Sequence, residues 1–257
     1  MIIRKATAID KEHITKFCKN TFSWGDYIQD VWDFWVKEGN LFVLENTLPI
    51  GVCHAYYLDN NVWIEGIRIH PSHRKQGLAS QLVLHIESLA QKRGIETSSM
   101  LIDVENNSSL QMAQNLGYVI SEKWNFYSLV PKQFDACSVR FSLPDTLTIP
   151  YYVKSWRWLR LNNAKLLDLL NNNQVICCDK SDDPSFAIIS NSEHFEKTML
   201  ITLYSGSNDN DHDLLSYIQN LCFRNNYYRI QILTKNTLAS STAEYRLSFN
   251  LMSKLLS

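Results

Sequence analysis

In "WGDYIQDVWDFWVKEG", Tyr27, Ile28, Val31, Trp32 and Trp35 recur at three- and four-residue intervals. That spacing predicts an amphipathic helix closed by Gly39. The stretch before it, "DKEHITKFCKNTF", has the same period and follows a short strand, "IIRKAT". Downstream the pattern changes. "LFVLEN", "PIGVCHAYYLD" and "NVWIEGIRIHP" are apolar runs rich in Val, Ile and aromatics, broken by Asn-Thr-Leu-Pro and Asp-Asn-Asn, and they predict three strands. A helix is predicted from about Lys75 to Arg93, closed by Gly94. "SSMLIDV" reads as a strand, "NNSSLQMAQNLGY" as a helix opening at an Asn/Ser cap and ending at Gly117, and "KWNFYSLV" as a last strand.

Residues 131–150 carry three prolines and read as a connector. Beyond it, "VICCDK", "SFAIIS" and "KTMLITLYS" predict strands, "HDLLSYIQNLCFRNN" a helix and "YYRIQILT" a strand. This order repeats the middle of the first half, and "NTLASSTAEYRLSF" follows its strand as "NNSSLQMAQNLGY" follows its own. The reading is a diverged second copy, dividing the chain at 131/132; the alternative is an unrelated α/β domain with a common element order. The second copy has "SGSNDNDHD" where the first has "PSHRKQGLA", so acidic residues replace basic ones and no phosphate site is expected there.

Composition narrows the function classes. With 25 Lys and Arg against 26 Asp and Glu, the net charge is -1, which leaves no bulk electrostatic case for nucleic acid or an anionic membrane. No apolar run approaches the ~20 residues of a membrane span, and "MIIRKATAIDKEH" lacks a signal-peptide core, so a cytoplasmic protein is expected. Cys18, Cys53, Cys137, Cys177, Cys178 and Cys222 show no Cys-x-x-Cys spacing and are read as buried free thiols. His54, His70, His73 and His85 lack metal-site spacing; no metal is expected, and His73 is the one histidine placed near the anion turn described next.

In "IRIHPSHRKQGLAS" a strand runs into a turn and then a helix. The first amides of a helix have no intrahelical partner, and its dipole favours an anion. Gly77 and Ala79 are small enough to let a phosphate approach the backbone, and Arg74 and Lys75 add charge. The turn is neither a Walker loop nor a dinucleotide Gly-x-Gly-x-x-Gly turn. "WIEGIRIHPSHRKQGLASQLVLHIESLAQKRG" followed by "LIDVENNSSLQMAQNLGY" resembles the GNAT superfamily of acyl-CoA-dependent N-acyltransferases, over about residues 1–130. The resemblance implies an α/β fold, a GNAT-like mixed sheet flanked by helices, followed by a smaller α/β domain as a degenerate copy. It implies acetyl-CoA in a wedge between the fourth and fifth strands, with backbone groups of Ile67, Arg68 and Ile69 on the pantetheine arm. The stretch Arg74, Lys75, Gln76, Gly77, Leu78, Ala79 and Ser80 cradles the pyrophosphate, and the Asn106 side chain reaches the cofactor.

An amine attacks a thioester only when unprotonated, so a base is needed near neutral pH. Glu65 is the candidate, at a position where a glutamate serves as base in some members of the superfamily. Gly66 suggests a bulge or close backbone approach aiming the carboxylate into the wedge. The alternative is a strand glutamate paired with a nearby Arg or Lys, such as Arg68. Many relatives carry a tyrosine acid seven residues after the Asn; here that position is Ala113, and Tyr118 and Tyr127, the alternatives for that role, are read first as packing residues. A thiolate of pKa ~8.5 needs little help in leaving. The resemblance places the acceptor against "FSWGDYIQDVWDFW" and "SEKWNFY", with Asp26 and Tyr27 as substrate-binding candidates and Trp32 and Trp35 read as core. "WGDYI…VW" with "EGIRIHP" looks like the histidine N-acetyltransferase branch, whereas "SHRKQGLA" is similar to the turn in protein N-terminal acetyltransferases. The expected partner is a small-molecule amine or free amino acid. The alternatives are a protein N-terminal acetyltransferase and a non-catalytic acyl-CoA-binding regulator. The oligomeric state stays open, a monomer being possible if the second half stands in for a partner.

Overall fold

The computed structural model describes residues 1–19, 21, 25–134, 139–142, 151–239 and 243–256. In chain order the first elements are β1 (Ile2–Lys5), α1 (Asp10–Cys18), α2 (Ile28–Glu38), β2 (Leu41–Asn46), β3 (Leu48–Leu58), β4 (Asn61–Ile69), α3 (Leu78–Gln91), β5 (Thr97–Asp103), α4 (Asn107–Asn115) and β6 (Val119–Leu129). The rest are β7 (Tyr151–Lys154), β8 (Arg157–Arg160), α5 (Asn163–Asn171), β9 (Val175–Cys178), β10 (Ser185–Asn191), β11 (Thr198–Tyr204), α6 (Asn208–Arg224), β12 (Arg229–Thr234) and β13 (Glu244–Leu255).

The chain forms two compact units, one of residues 1–122 with 250–257 and one of residues 123–249. This differs from a single cut at 131/132, because the boundaries fall inside the two long strands β6 and β13. In the first unit β1, β2, β3 and β4 pair antiparallel in sequence order and β5 joins β4 in parallel. Residues 250–255 of β13 then follow β5, so the far end of the chain is a strand of this unit.

Strand alternation divides the first unit's core. Phe42, Leu44, Ile50, Ala55, Val62 and Ile64 face α3 and α4, while Leu41, Val43 and Val52 face α1 and α2. On α2 the buried residues are Ile28, Val31, Trp32 and Trp35, matching the expected stripe. The α3 stripe, Leu78, Leu82, Val83, Ile86 and Ala90, contains one acid, Glu87. Its carboxylate accepts from Tyr118 Oη at 2.8 Å and from Lys254 Nζ at 2.7 Å, and Tyr118 also meets Ser98 Oγ at 2.5 Å. Lys254 comes from the C-terminal strand, so a buried charge pair ties that strand to α3. At the end of α3, Gly94 N–H bonds Gln91 O and Ile95 N–H bonds Ala90 O, the closing turn expected at Gly94.

The second unit repeats the order: β9, β10 and β11 are antiparallel, and β12 joins β11 in parallel after α6. Residues 125–129 of β6 pair antiparallel with β12. Three features differ from expectation. The β7–β8 hairpin and α5 are additional, and residues 244–249 of the segment expected to mirror "NNSSLQMAQNLGY" begin the strand β13 (240–242 lie outside the described residues). Alternating Tyr245, Leu247 and Phe249 carry strand rather than helix period. Parts of the predicted connector, 135–138 and 143–150, also lie outside the described residues, as does Cys137; the other five cysteines are buried free thiols. No helix among the described residues is long and apolar enough to cross a membrane.

Removing Lys254 leaves Glu87 buried without its cation. Lys254→Ala should destabilise the protein by roughly 2–3 kcal/mol in urea unfolding. The double change Glu87→Gln, Lys254→Met should recover most of that loss.

Candidate active site

Strands β4 and β5 pair only from Asn61–Trp63 to Thr97–Ser99, although β4 runs on to Ile69 and β5 to Asp103. The cause lies on the other edge of β4. Val52 pairs with Arg68 and His54 with Glu65, so Gly66 and Ile67 together oppose the single residue Cys53. Such a bulge bends and twists its strand. Gly66 has φ +66, and a Cβ there would lie 2.4 Å from the Trp35 ring. Both features anticipated at this glycine, bulge and close approach, are present. Beyond it, Ile67, Arg68 and Ile69 continue β4 past its last pair with β5, with Arg68 and Ile69 still paired to β3. Ile67 O accepts from Arg68 Nη1 at 3.0 Å and Ile69 O from Arg74 Nε at 3.1 Å.

The strand leads into a 3₁₀ turn, Pro71–His73, and then the anion turn. The helix starts at Leu78, three residues after the predicted start, because Lys75 (φ +60) and Gly77 (φ +73) both take left-handed backbone. Gly77 supplies no capping side chain, and the first helical bond runs from Gln81 N–H to Gly77 O at 3.1 Å. The amides of Leu78, Ala79 and Ser80 therefore have no intrahelical acceptor. Arg74, Lys75, Gln76 and Gly77 are exposed, and Leu78 is buried beneath them. Ser72 Oγ joins His70 Nδ1 at 2.8 Å and His73 Nδ1 at 2.9 Å, which ties His73 to the start of this turn.

Glu65 Oε1 lies 2.8 Å from His54 Nδ1, and its Oε2 accepts from Trp63 Nε1 at 3.2 Å. His54 is fully buried, stacks on Trp35 with centroids 4.6 Å apart and planes 3° from parallel, and presents Nε2 3.1 Å from Glu38 Oε2. Arg68 grips Asp26 with two bonds, Nε to Oδ2 at 2.7 Å and Nη2 to Oδ1 at 3.2 Å, and lies over the Tyr27 ring. Asp26 Oδ1 also accepts from Ile28 N–H at the start of α2. Its carboxylate is thus engaged by a guanidinium and by the helix it opens. Tyr27 packs edge-on against Trp35, and burial raises its hydroxyl pKa. Phe22, Ser23 and Trp24 of the expected acceptor segment lie outside the described residues.

The sequence reading missed His54, Trp63 and Glu38 as neighbours of Glu65. A signal existed: the two-residue turn Asp59–Asn60 pairs Leu58 with Asn61, and counting back along both strands puts His54 opposite Glu65.

Asn106 caps α4, its Oδ1 accepting from Ser109 N–H at 3.2 Å and Ser108 Oγ at 3.1 Å, which leaves the amide nitrogen for another acceptor. Ala113 is buried in the core. Tyr118 is tied to Glu87 and Ser98, with its pKa pushed up by burial, and Tyr127 Oη accepts from Leu238 N–H in the second unit. Neither hydroxyl is placed as a general acid.

The corresponding region of the second unit is closed. β11 has no bulge against β10, and it pairs with β12 over six positions, Thr198↔Arg229 to Leu203↔Thr234. Its turn is filled by its own side chains. Asp211 accepts from Ser185 Oγ at 2.6 Å and Ser205 Oγ at 2.5 Å, and Ser207 caps α6.

A profile of the acetyltransferase (GNAT) family matches residues 10–118. No curated protein matches the chain. Among solved structures, the chain is similar to a Thermoplasma acidophilum protein provisionally described as an acetyltransferase (TM-score 0.70, 16% identity, 99% of this chain and 100% of that one). It is also similar to a GCN5-related N-acetyltransferase from Sphaerobacter thermophilus (TM-score 0.65, 12% identity, 99% and 95%). A third likeness is to a tandem GNAT protein from the clavulanic acid biosynthesis pathway (TM-score 0.59, 10% identity, 100% and 98%). At these identities the likenesses describe the fold, including its two-unit arrangement.

Gly66→Ala should test the bulge directly. Left-handed backbone and the Trp35 clash together should cost about 2–4 kcal/mol by chemical denaturation.

Proposed function

We propose, from the match of residues 10–118 to the acetyltransferase (GNAT) family, that the protein moves an acetyl group from acetyl-CoA to the amine of a free amino acid or similar small molecule. The observation that carries this reading is the divergence of β4 from β5, with Glu65 just past the last β4–β5 pair and uncapped amides at the far end. An extended amide-bearing arm fits beside Ile67, Arg68 and Ile69 as an added strand does. A diphosphate fits the amides of Leu78, Ala79 and Ser80, with Arg74 and Lys75 beside it.

Glu65 takes the proton from the acceptor ammonium, freeing the nitrogen lone pair for direct attack on the thioester carbon. The C–S bond breaks with its electrons going to sulfur. A thiolate of pKa ~8.5 is a good enough leaving group for the absence of a tyrosine at position 113 to be tolerated. Glu65 is recessed, its side chain 13% exposed. That depth favours a small acceptor, whose amine enters the wedge, over a peptide lying across an open surface. Asp26 and Tyr27 serve as wall, held by Arg68. Buried free thiols fit a reducing compartment such as the cytoplasm.

Glu65→Gln should lower kcat at least about 100-fold, with acetyl-CoA binding unchanged by calorimetry. Wild-type turnover in that variant removes Glu65 from the mechanism. The double change Arg74→Glu, Gly77→Asp should abolish binding, and the closed second unit predicts a stoichiometry of one acetyl-CoA per chain. Product formation across free amino acids, small amines and short peptides then separates the acceptor classes. Peptide preference selects the N-terminal acetyltransferase reading, and binding without any product selects the regulatory one.

A further inference from the structure

The base reading uses one carboxylate, but the structure places three ionisable groups in a row. Glu65 Oε1, His54 Nδ1, His54 Nε2 and Glu38 Oε2 follow one another with gaps of 2.8 Å and 3.1 Å across the ring. Each position has a separate structural cause. Glu65 and His54 are a cross-strand pair of β3 and β4. Glu38 is the last residue of α2, and the chain from Gly39 into β2 is anchored there by Ala55 N–H to Asn40 O at 3.0 Å. Trp35, one turn earlier on α2, covers the flat face of the imidazole.

A fully buried imidazole with a carboxylate at each nitrogen is expensive as packing, since buried charges need partners and an apolar side chain would fill the space. The Nδ1 contact with Glu65 is a hydrogen bond, whereas Glu38 Oε2 lies within ion-pair distance of Nε2 without hydrogen-bond geometry, so Glu38 acts on the ring as a nearby charge. The other ionisable groups around it are Tyr27 and Cys53, both held protonated by burial, and Arg68, which is committed to Asp26.

We infer that His54 and Glu38 are positioning residues for the transferase reaction: His54 holds Glu65 Oε1 in place, and the charge on Glu38 sets how readily Glu65 takes the acceptor's proton. This rests on Glu65 being the base. The row parallels other nucleophile and base sites in which a third group orients the base through an imidazole.

Glu38→Gln tests it, because the amide keeps the shape and removes the charge at the partly exposed end of the row. With less negative charge, the row binds a further proton less readily. The acidic limb of kcat/KM for acetyl transfer to the free amino-acid panel should move to lower pH by about one unit, and its plateau should fall about tenfold as the base weakens. The KM for acetyl-CoA and the thermal midpoint should stay at wild-type values. A wild-type limb and plateau in Glu38→Gln, beside an inactive Glu65→Gln, overturns the inference and leaves the base reading standing. An active Glu65→Gln overturns the base reading instead, and this inference with it. Ring ¹⁵N spectra of the histidine-labelled full chain, assigned with His54→Gln, decide the matter without an acceptor. The His54 ring resonances should shift in Glu38→Gln relative to wild type; resonances unchanged in that variant overturn the inference.

Discussion

Position 66 has room for no side chain beside Trp35, and much of the site follows from that contact. Glycine there lets the backbone adopt φ +66 and the indole close against it, and two residues of β4 come to oppose one of β3. The strand bends away, and β5 pairs with it only over its first part, which leaves an edge of β4 that β5 does not cover. In a packed sheet such an edge is a liability. Here it leads directly to the turn whose helix begins without a cap, so strand edge and anion turn form one continuous surface.

The second unit is an internal comparison. It has the same strand order and the same parallel connection through a helix, yet β11 has no glycine and no bulge, and it pairs with β12 over six positions. Where the first unit has Arg74 and Lys75 at an open turn, the second has Asp211 bonded to two serines. One architecture thus appears twice in the chain, once with a wedge and once zipped. The difference traces to the side chain the α2 region sets against the bulge and to the charge of one turn.

Trp35 links the site's two halves. One of its neighbours is the glycine that opens the wedge, and another is the imidazole that meets Glu65. The surroundings of Glu65 and the bulge at Gly66 are thus both set by one buried indole on α2. In the same unit the C-terminal strand is secured through Lys254 and Glu87, so residues at the end of the chain stabilise α3, the helix whose first turn lacks a side-chain cap.

Element order, the amphipathic stripe of α2, the turn at Arg74–Ala79 and the bulge at Gly66 were all legible along the chain, because period, capping and backbone permissiveness are local properties. The start of α3 was misread by three residues because two left-handed residues precede it. The β7–β8 hairpin, α5 and the strand at 244–255 were missed or misassigned, since short segments take their conformation from the sheet they join. Partner choice was not legible in the same way. Arg68 paired with Asp26, and His54 with Glu65 and Glu38, because strand register and helix docking select among many charges of similar reach. Local pattern was therefore enough to say that a strand, a bulge and an anion turn adjoin. Which groups a buried carboxylate meets depended on contacts between residues far apart in the chain, made only once the core has closed around Trp35.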